Sequence, residues 1–436
     1  MSIISLINKV PFGNSAEKGF WLYTKLPSGL FQKMEEDNFR GTVRFVAKHS
    51  LFYRRKFAEH KIDVSQVRKP EDLGNFFTTA EDIRQNPEEF ICLPADTAYE
   101  TTGTTSKRPK RVYFSRSEVE EAGWAGAVGL WGIGVRPEDR VVSAFDYSFW
   151  VSGPVLAASC KVLGCFHVEA GRMNPAEFYE RLADYKVTVL VGDPSWLLAL
   201  SEIAGKKGAW PVKFLLAGGE NVTEDARCYM EKVWKADFIL GYGQTEAFGA
   251  IGMESRDKDG YHLNEFHNFF EIVDRDPDGY GELVYTNLNR RVMPLVRYRS
   301  GDITRFINRP STSGLPGRRI EKLKGRVNEW TATGMGNLAP WMFEPIVQGV
   351  PELTQDWQIV IEKAGNKDLI KLHVESVNGS DPNKIKERVL ALFQANLPDA
   401  WKMAQMDFCK LDIGVFPKGS LRQGRKLARL VDRRVF

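Results

Sequence analysis

The chain has 436 residues, 43% of them hydrophobic and 27% charged, with 60 Lys and Arg against 56 Asp and Glu for a formal charge of +4 at pH 7. That length exceeds what one hydrophobic core usually holds and points to two or three domains, and the composition excludes a disordered or low-complexity chain. A charge so small and dispersed does not by itself argue for a nucleic-acid surface, so the expected partners are small molecules.

The earliest apolar run is "IISLI" (3–7), and nothing later approaches the roughly 20 apolar residues of a membrane span. Five cysteines, at 92, 160, 165, 228 and 409, never fall in a Cys-x-x-Cys pair, which argues against a disulfide framework and a zinc ribbon. The expectation is a cytoplasmic protein with no membrane or nucleic-acid partner. A homodimer is left open.

In chain order, a strand ending near Tyr99 runs into the Thr-rich loop "TTGTTSKRPK" (101–110) and then a second apolar stretch. "AFDYSFWVSG" (144–153) gathers aromatic residues. From 174 to 246 strand-like runs alternate with helical segments: "NPAEFYERLADYK" opens with Asn174 as cap and Pro175 at the first helical position, "VTVLVGD" and "VKFLLAGGE" read as buried strands, and "DFILGYGQTE" ends the series. This β-α-β-α-β order predicts a parallel sheet whose strand carboxyl ends share one edge, where ligands of open α/β sheets bind. "AGGE" and "GYGQTE" fall on that edge; if the strand ending near Tyr99 joins the sheet, the Thr-rich loop opens there too.

Between 262 and 307 shorter segments separated by Asp-Pro-Asp-Gly and Asn-Arg-Arg turns predict antiparallel strands. A polar loop (308–319) precedes a domain boundary near Gly325 to Asn328, and a smaller unit reads as hairpin, helix and strand. The tail, "KGSLRQGRKLARLVDRR" (418–434), is strongly basic.

A loop of Thr, Gly and Lys after a strand can wrap phosphate oxygens, because hydroxyl and backbone N–H groups donate hydrogen bonds and Gly103 permits close backbone approach. It lacks the G-x-x-x-x-G-K-[ST] pattern of a P-loop NTPase. "TTGTTSKRPK", "AGGE", "GYGQTE", "YRSGDI" and "GRVNEW" occur in this order. That ordered set resembles the adenylate-forming enzymes, and within them the phenylacetate-CoA ligase family, over most of the chain from "HSLFYRRKF" (49–57) to "KLARLVDRR".

The resemblance implies an α/β fold. A large N-terminal domain (1–327) would combine a parallel sheet with a small antiparallel subdomain and bind ATP and the acid. A small mobile α+β C-terminal domain (328–436) would carry a catalytic Lys. Thr101, Thr102, Gly103, Thr104, Thr105 and Lys110 would hold the β- and γ-phosphates of ATP. Gly218, Gly219 and Glu220 would lie along adenine, Tyr242 with Gly243 would stack on it, Thr245 would bond the α-phosphate and Glu246 would ligate Mg²⁺. Asp302 would accept from the ribose hydroxyls beside Arg326, and Lys426 would act on the reacting carboxylate. Phe145, Tyr147, Phe149 and Trp150 would line a pocket for an aromatic or bulky apolar acid.

The activity implied is activation of a carboxylic acid to an acyl-adenylate with loss of pyrophosphate, then transfer to CoA. The alternatives are transfer to an amine, amino acid or carrier-protein thiol, and a nucleotide-binding relative without turnover. Ser255 and the Cys-free "RPSTSGLPGR" stand where several relatives hold a structural zinc, so none is expected; His262 and His267 alone make no zinc site. The hinge reads Asn328 where the family has Asp. Met335 occupies a position where a small residue is expected beside the pantetheine path, which bears on the CoA step and not on adenylation.

Overall fold

The structure, a computed structural model, describes residues 15–101, 109–313, 315, 317–327, 331–365, 367–377, 379–422 and 427–434. The Thr-rich loop is flanked by β1 (Thr97–Thr101) and β2 (Lys110–Phe114), which pair antiparallel with Thr101 opposite Lys110. This hairpin is a two-stranded sheet of its own, so the strand ending near Tyr99 does not join the main sheet. The reason is local: "KRVYF" is itself a good strand and takes up the hydrogen bonds of β1 through a short loop closure, which costs less chain entropy than a distant pairing.

The parallel sheet is built as the alternation of apolar runs predicts. β3 (Arg140–Ser143), β4 (Phe166–Glu169), β5 (Val189–Gly192), β6 (Phe214–Gly218) and β7 (Asp237–Gln244) lie in the order β7-β6-β5-β3-β4, all parallel. Every residue of β5 is buried, which is why it reads as a continuous apolar run and not as an alternation. The crossovers are helices such as Pro175–Leu182, where the Asn174 side chain accepts from the Ala176 N–H at 2.9 Å, and Pro194–Lys207. Beyond β7 the sheet continues antiparallel through β8 (Gly249–Glu254) and β9 (Tyr261–Leu263).

The predicted antiparallel subdomain is present. β10 (Asn268–Val273), β11 (Gly281–Asn287) and β12 (Tyr298–Thr304) follow one another in a second sheet, while β13 (Phe306–Ile307) and β14 (Arg319–Ile320) extend the first. By its internal contacts the chain divides into two compact units, with 301–303, 323–436 and the short segment 222–226 forming the second. Inside that unit β15 (Gly325–Arg326) pairs with Asp302 and Ile303. After the short hairpin β16 (Thr331–Thr333) and β17 (Gly336–Leu338), the long hairpin β18 (Leu353–Ala364) and β19 (Lys367–Ser376) is joined in parallel by β20 (Cys409–Pro417) and β21 (Leu430–Asp432). Helix Pro382–Asn396 buries Ile385, Val389 and Phe393 in the same core. Among the described residues no helix is long and apolar enough to cross a membrane.

One buried ion pair locks the parallel sheet to its antiparallel extension. Arg227 donates to Glu254 Oε1 at 2.9 Å, the Leu240 N–H of β7 donates to Glu254 Oε2 at 2.9 Å, and the two charged side chains are 2% and 0% exposed. Removing one partner strands a charge out of water, so Arg227→Ala should cost about 3–5 kcal/mol in chemical denaturation, far more than a surface Arg→Ala. A second expectation concerns His267, between β9 and β10, where burial alone pushes the imidazole down to about 4. The unfolded chain takes up this proton near pH 6.5, so between these values the unfolded state binds more protons and stability falls as pH drops. Denaturation at pH 7 and pH 4 should differ by about 3 kcal/mol less in His267→Gln than in the parent chain.

Candidate functional site

The carboxyl edge of the sheet brings several separate loops together. After β4, Arg172 Nη1 donates to Asp193 Oδ2 at 2.9 Å, and Asp193, which follows β5, is itself buried. After β6, Glu220 Oε2 accepts from the Ser195 N–H at 3.2 Å, in the first turn of helix Pro194–Lys207. A carboxylate there meets the free N–H groups and the positive end of the helix. Arg172 and Asp193 are not among the candidates the sequence offers: Asp193 merely closes the apolar run "VTVLVGD", and only the fold sets the two side by side.

At the end of β7 the chain makes a close approach to β8. A Cβ on Gly243 would lie 2.2 Å from the Gly249 carbonyl oxygen, so no larger residue fits without moving the strands. Tyr242 is buried, with its ring 5.7 Å from that of Tyr261. Gln244 accepts from the Tyr285 hydroxyl at 2.9 Å and donates to the Ser300 carbonyl at 3.1 Å. Thr245 and Glu246 follow in a single 3-10 turn, both buried.

Glu246 is the electrostatic centre of this region. Its side chain is 2% exposed and forms an ion pair with Lys110 Nζ, the first residue of β2, whose side chain is 15% exposed. The Tyr298 hydroxyl donates to Glu246 Oε1 at 3.0 Å and accepts from Lys110 Nζ at 3.1 Å. Burial pushes the Glu246 carboxyl up, but Lys110 and the hydrogen bonds from Lys110, its own backbone and Tyr298 outweigh it, and the net shift is down. The carboxylate therefore stays ionised out of water. The turn is also held from behind: the Glu246 carbonyl accepts from Asn287 Nδ2 at 3.2 Å and Arg290 Nη1 at 3.3 Å, and the Ala247 carbonyl accepts from Asn268 Nδ2 at 3.2 Å.

Of the loop residues expected to grip phosphates, Thr102, Gly103, Thr104 and Thr105 lie outside the described residues, as do Lys426 and Asn328. Thr101 ends β1, and its Oγ1 is buried with no hydrogen-bond partner among the described residues. Gly218 and Gly219 stand at the end of β6, Gly219 with φ 87°. The four aromatic residues expected to line an acid pocket do not share one environment. Phe145 packs so close to β6 that a Cβ on Gly218 would lie 3.7 Å from its ring, the Tyr147 hydroxyl is 3.3 Å from His167 Nε2, Trp150 is half-buried, and Phe149 is 61% exposed.

In the second unit Arg326 Nε donates to Asp302 Oδ1 at 2.7 Å across the β12–β15 pairing, and the Val327 N–H donates to the Gly301 carbonyl at 2.7 Å. The two residues expected at the ribose are thus in contact. Met335 is buried in the core of this unit with Leu338 and Phe343. The residues before and after 423–426 are tied to β18: Arg422 makes two hydrogen bonds to Asp356 at 2.9 and 2.7 Å, and Arg429 donates to the Trp357 and Gln355 carbonyls, each at 2.8 Å. His262 Nε2 faces Ser313 Oγ at 3.4 Å. Among the described residues no three His, Cys, Asp or Glu side chains gather as a metal site.

Comparison with known proteins adds an independent line. The family described as AMP-binding enzyme matches residues 48–282, more than half of the chain. The phenylacetate-coenzyme A ligase of Pseudomonas putida is 28% identical over 356 residues, 76% of this chain and 80% of the relative. That of Escherichia coli is 25% identical over 364 residues, 79% and 82% of the two chains. A crystal structure of 2-hydroxyisobutyryl-CoA ligase in the postadenylation state, in complex with R3-HIB-AMP, superposes with a TM-score of 0.79 at 20% identity, over 98% of this chain and 94% of the other. The chain belongs to the family of AMP-binding enzymes, and its resemblance within that family is to the phenylacetate-CoA ligases.

Proposed function

We propose that the protein is an AMP-forming acid–CoA ligase: it activates a carboxylic acid with ATP to an acyl-adenylate and transfers the acyl group to the thiol of coenzyme A. The observation that carries this is the buried Glu246 carboxylate held by Lys110, which joins the turn after β7 to the strand leaving the Thr-rich loop. The curated relatives that match over about four-fifths of their length are named as coenzyme A ligases, which supports the same reaction and acceptor.

In this reading Lys110 and Thr101 face the β- and γ-phosphates, the Thr101 hydroxyl gaining there a partner it lacks among the described residues. Asp302, with Arg326, takes the ribose diol, since two carboxylate oxygens suit a vicinal pair of hydroxyls. Mg²⁺ commonly takes one or two protein carboxylates with phosphate oxygens and water completing its shell, so Glu246 with the adjacent Thr245 hydroxyl fits it without a three-residue protein cage. Bound there, the cation would neutralise phosphate charge. The chain's own contribution is positioning and fixed charge, which carry phosphoryl and nucleotidyl transfers of this kind. The acid lies toward Phe145 and Tyr147 and is aromatic or bulky and apolar.

The test is release of pyrophosphate from ATP with Mg²⁺ across a panel of aromatic and aliphatic acids, each with and without CoA. Release should require an acid and Mg²⁺, CoA should raise turnover, and Glu246→Gln should lower kcat by about 10²-fold or more. Acid-independent ATP cleavage, or turnover driven by an amine and not by CoA, would overturn the assignment. Lys110→Met should raise the KM for ATP while leaving AMP binding within about twofold of the parent, because the lost charge faces phosphates that AMP does not have.

A further inference from the structure

Tyr298 opens β12 and is 1% exposed. Its hydroxyl is within hydrogen-bond distance of both charged groups of the buried pair, 3.1 Å from Lys110 Nζ and 3.0 Å from Glu246 Oε1. Its place is fixed independently of them. The Tyr298 backbone forms a β-bridge with Thr78, whose N–H donates to the Arg297 carbonyl at 3.1 Å and whose carbonyl accepts from the Arg299 N–H at 2.9 Å. The ring lies 5.4 Å from that of Tyr285, which in turn holds Gln244.

The other side of the pair is fixed as firmly. Arg290 is fully buried over the Phe114 ring, 4.1 Å from its centroid, and donates to the Tyr113 carbonyl of β2 at 2.7 Å as well as to the Glu246 carbonyl. Phe248 holds φ at 73°, a strained value for a bulky residue, and its ring is packed against Phe114 and His267. The backbone of the turn is therefore set, and the remaining freedom of Glu246 is the direction of its carboxylate.

Lys110 and Tyr298 hold that carboxylate in different ways. Lys110 is a charge on a flexible stem, and in the functional reading above it is needed on the phosphates when nucleotide is bound, so it must leave Glu246. Tyr298 is an uncharged hydroxyl on a rigid ring, held by its backbone bridge to Thr78 and its packing on Tyr285. We propose that Tyr298 is a positioning residue that keeps the Glu246 carboxylate aimed while Lys110 exchanges its carboxylate partner for phosphate oxygens, so that the site's affinity for the metal–nucleotide complex depends on the Tyr298 hydroxyl. This rests on the assignment of Glu246 and Lys110 to an ATP site.

Tyr298→Phe removes the hydroxyl and keeps the ring, its packing and the Thr78 bridge. In the full chain, titration calorimetry with AMP, with ATP in EDTA, and with ATP plus excess Mg²⁺ separates the possibilities. AMP and metal-free ATP should bind within about twofold of the parent protein. The Kd for the Mg²⁺ complex and the Mg²⁺ concentration for half-maximal binding should each rise about tenfold, as expected for loss of a hydrogen bond to a charged group. A merely structural tyrosine would weaken all three ligands alike, and that result overturns the proposal, as does an unchanged affinity for Mg²⁺ and ATP. A parent protein that binds no ATP under any of these conditions would overturn the ATP-site assignment and the proposal with it.

Discussion

An ionised carboxylate placed out of water must be compensated, and the pairing of Glu246 with Lys110 is the constraint that the large unit is arranged around. Desolvation of a charge of this kind is expensive unless geometry is good and the remaining lone pairs are used. Here two groups meet Oε1: Lys110 comes from the strand after the Thr-rich loop, Tyr298 from the start of β12, and Glu246 from the turn after β7. Three segments from different parts of the chain must therefore arrive within hydrogen-bond distance of one another. Arg290 does for the backbone what Lys110 does for the side chain, joining β2 to the same turn through two carbonyl oxygens.

The edge of the parallel sheet follows the same logic at lower cost. Right-handed crossovers bring the ends of β4, β5 and β6 to one side, and each following loop then has to satisfy its own polar groups there. Arg172 with Asp193, and Glu220 with the Ser195 N–H, tie neighbouring loops to each other. An edge so tied is preorganised, whereas loops left to water would have to be ordered on binding.

Much of this was legible in the sequence wherever the cause is local. Asn174 and Pro175 announce their helix because a cap and a fixed φ act within one turn, and the buried strands announce themselves as apolar runs. The five ordered motifs pointed to the family because each is a short contiguous stretch, whether it ends a strand as "AGGE" does or lies within one as "YRSGDI" does. What did not show was partnership across sequence: Tyr298 lies 188 residues from Lys110, and Arg290 lies 177 from Tyr113. No periodicity encodes such a pairing. The hairpin of β1 and β2 was missed as a separate sheet because a strand's apolar pattern does not name the edge it joins. Met335, conspicuous as a large residue where a small one was expected, is taken up by the core of the second unit.

The basic tail shows why charge density alone is poor evidence of a polyanionic partner. Arg422 is engaged by Asp356, Arg433 pairs with Glu362 at 3.2 Å, and Arg434, 5% exposed, bridges Asp368 at 3.0 Å and Asp432 at 2.6 Å. Arg429 lies 4.8 Å from the centre of the Trp357 ring and is held by two strand carbonyls. The Asp432 carboxyl is pulled down to about 2, chiefly by its hydrogen bond to Arg434. Releasing counterions from a nucleic acid requires cations free to meet phosphates. Arg422, Arg429 and Arg434 are instead held against the sheet of the second unit, with Arg433 paired at its surface, so the described residues on either side of 423–426 are anchored.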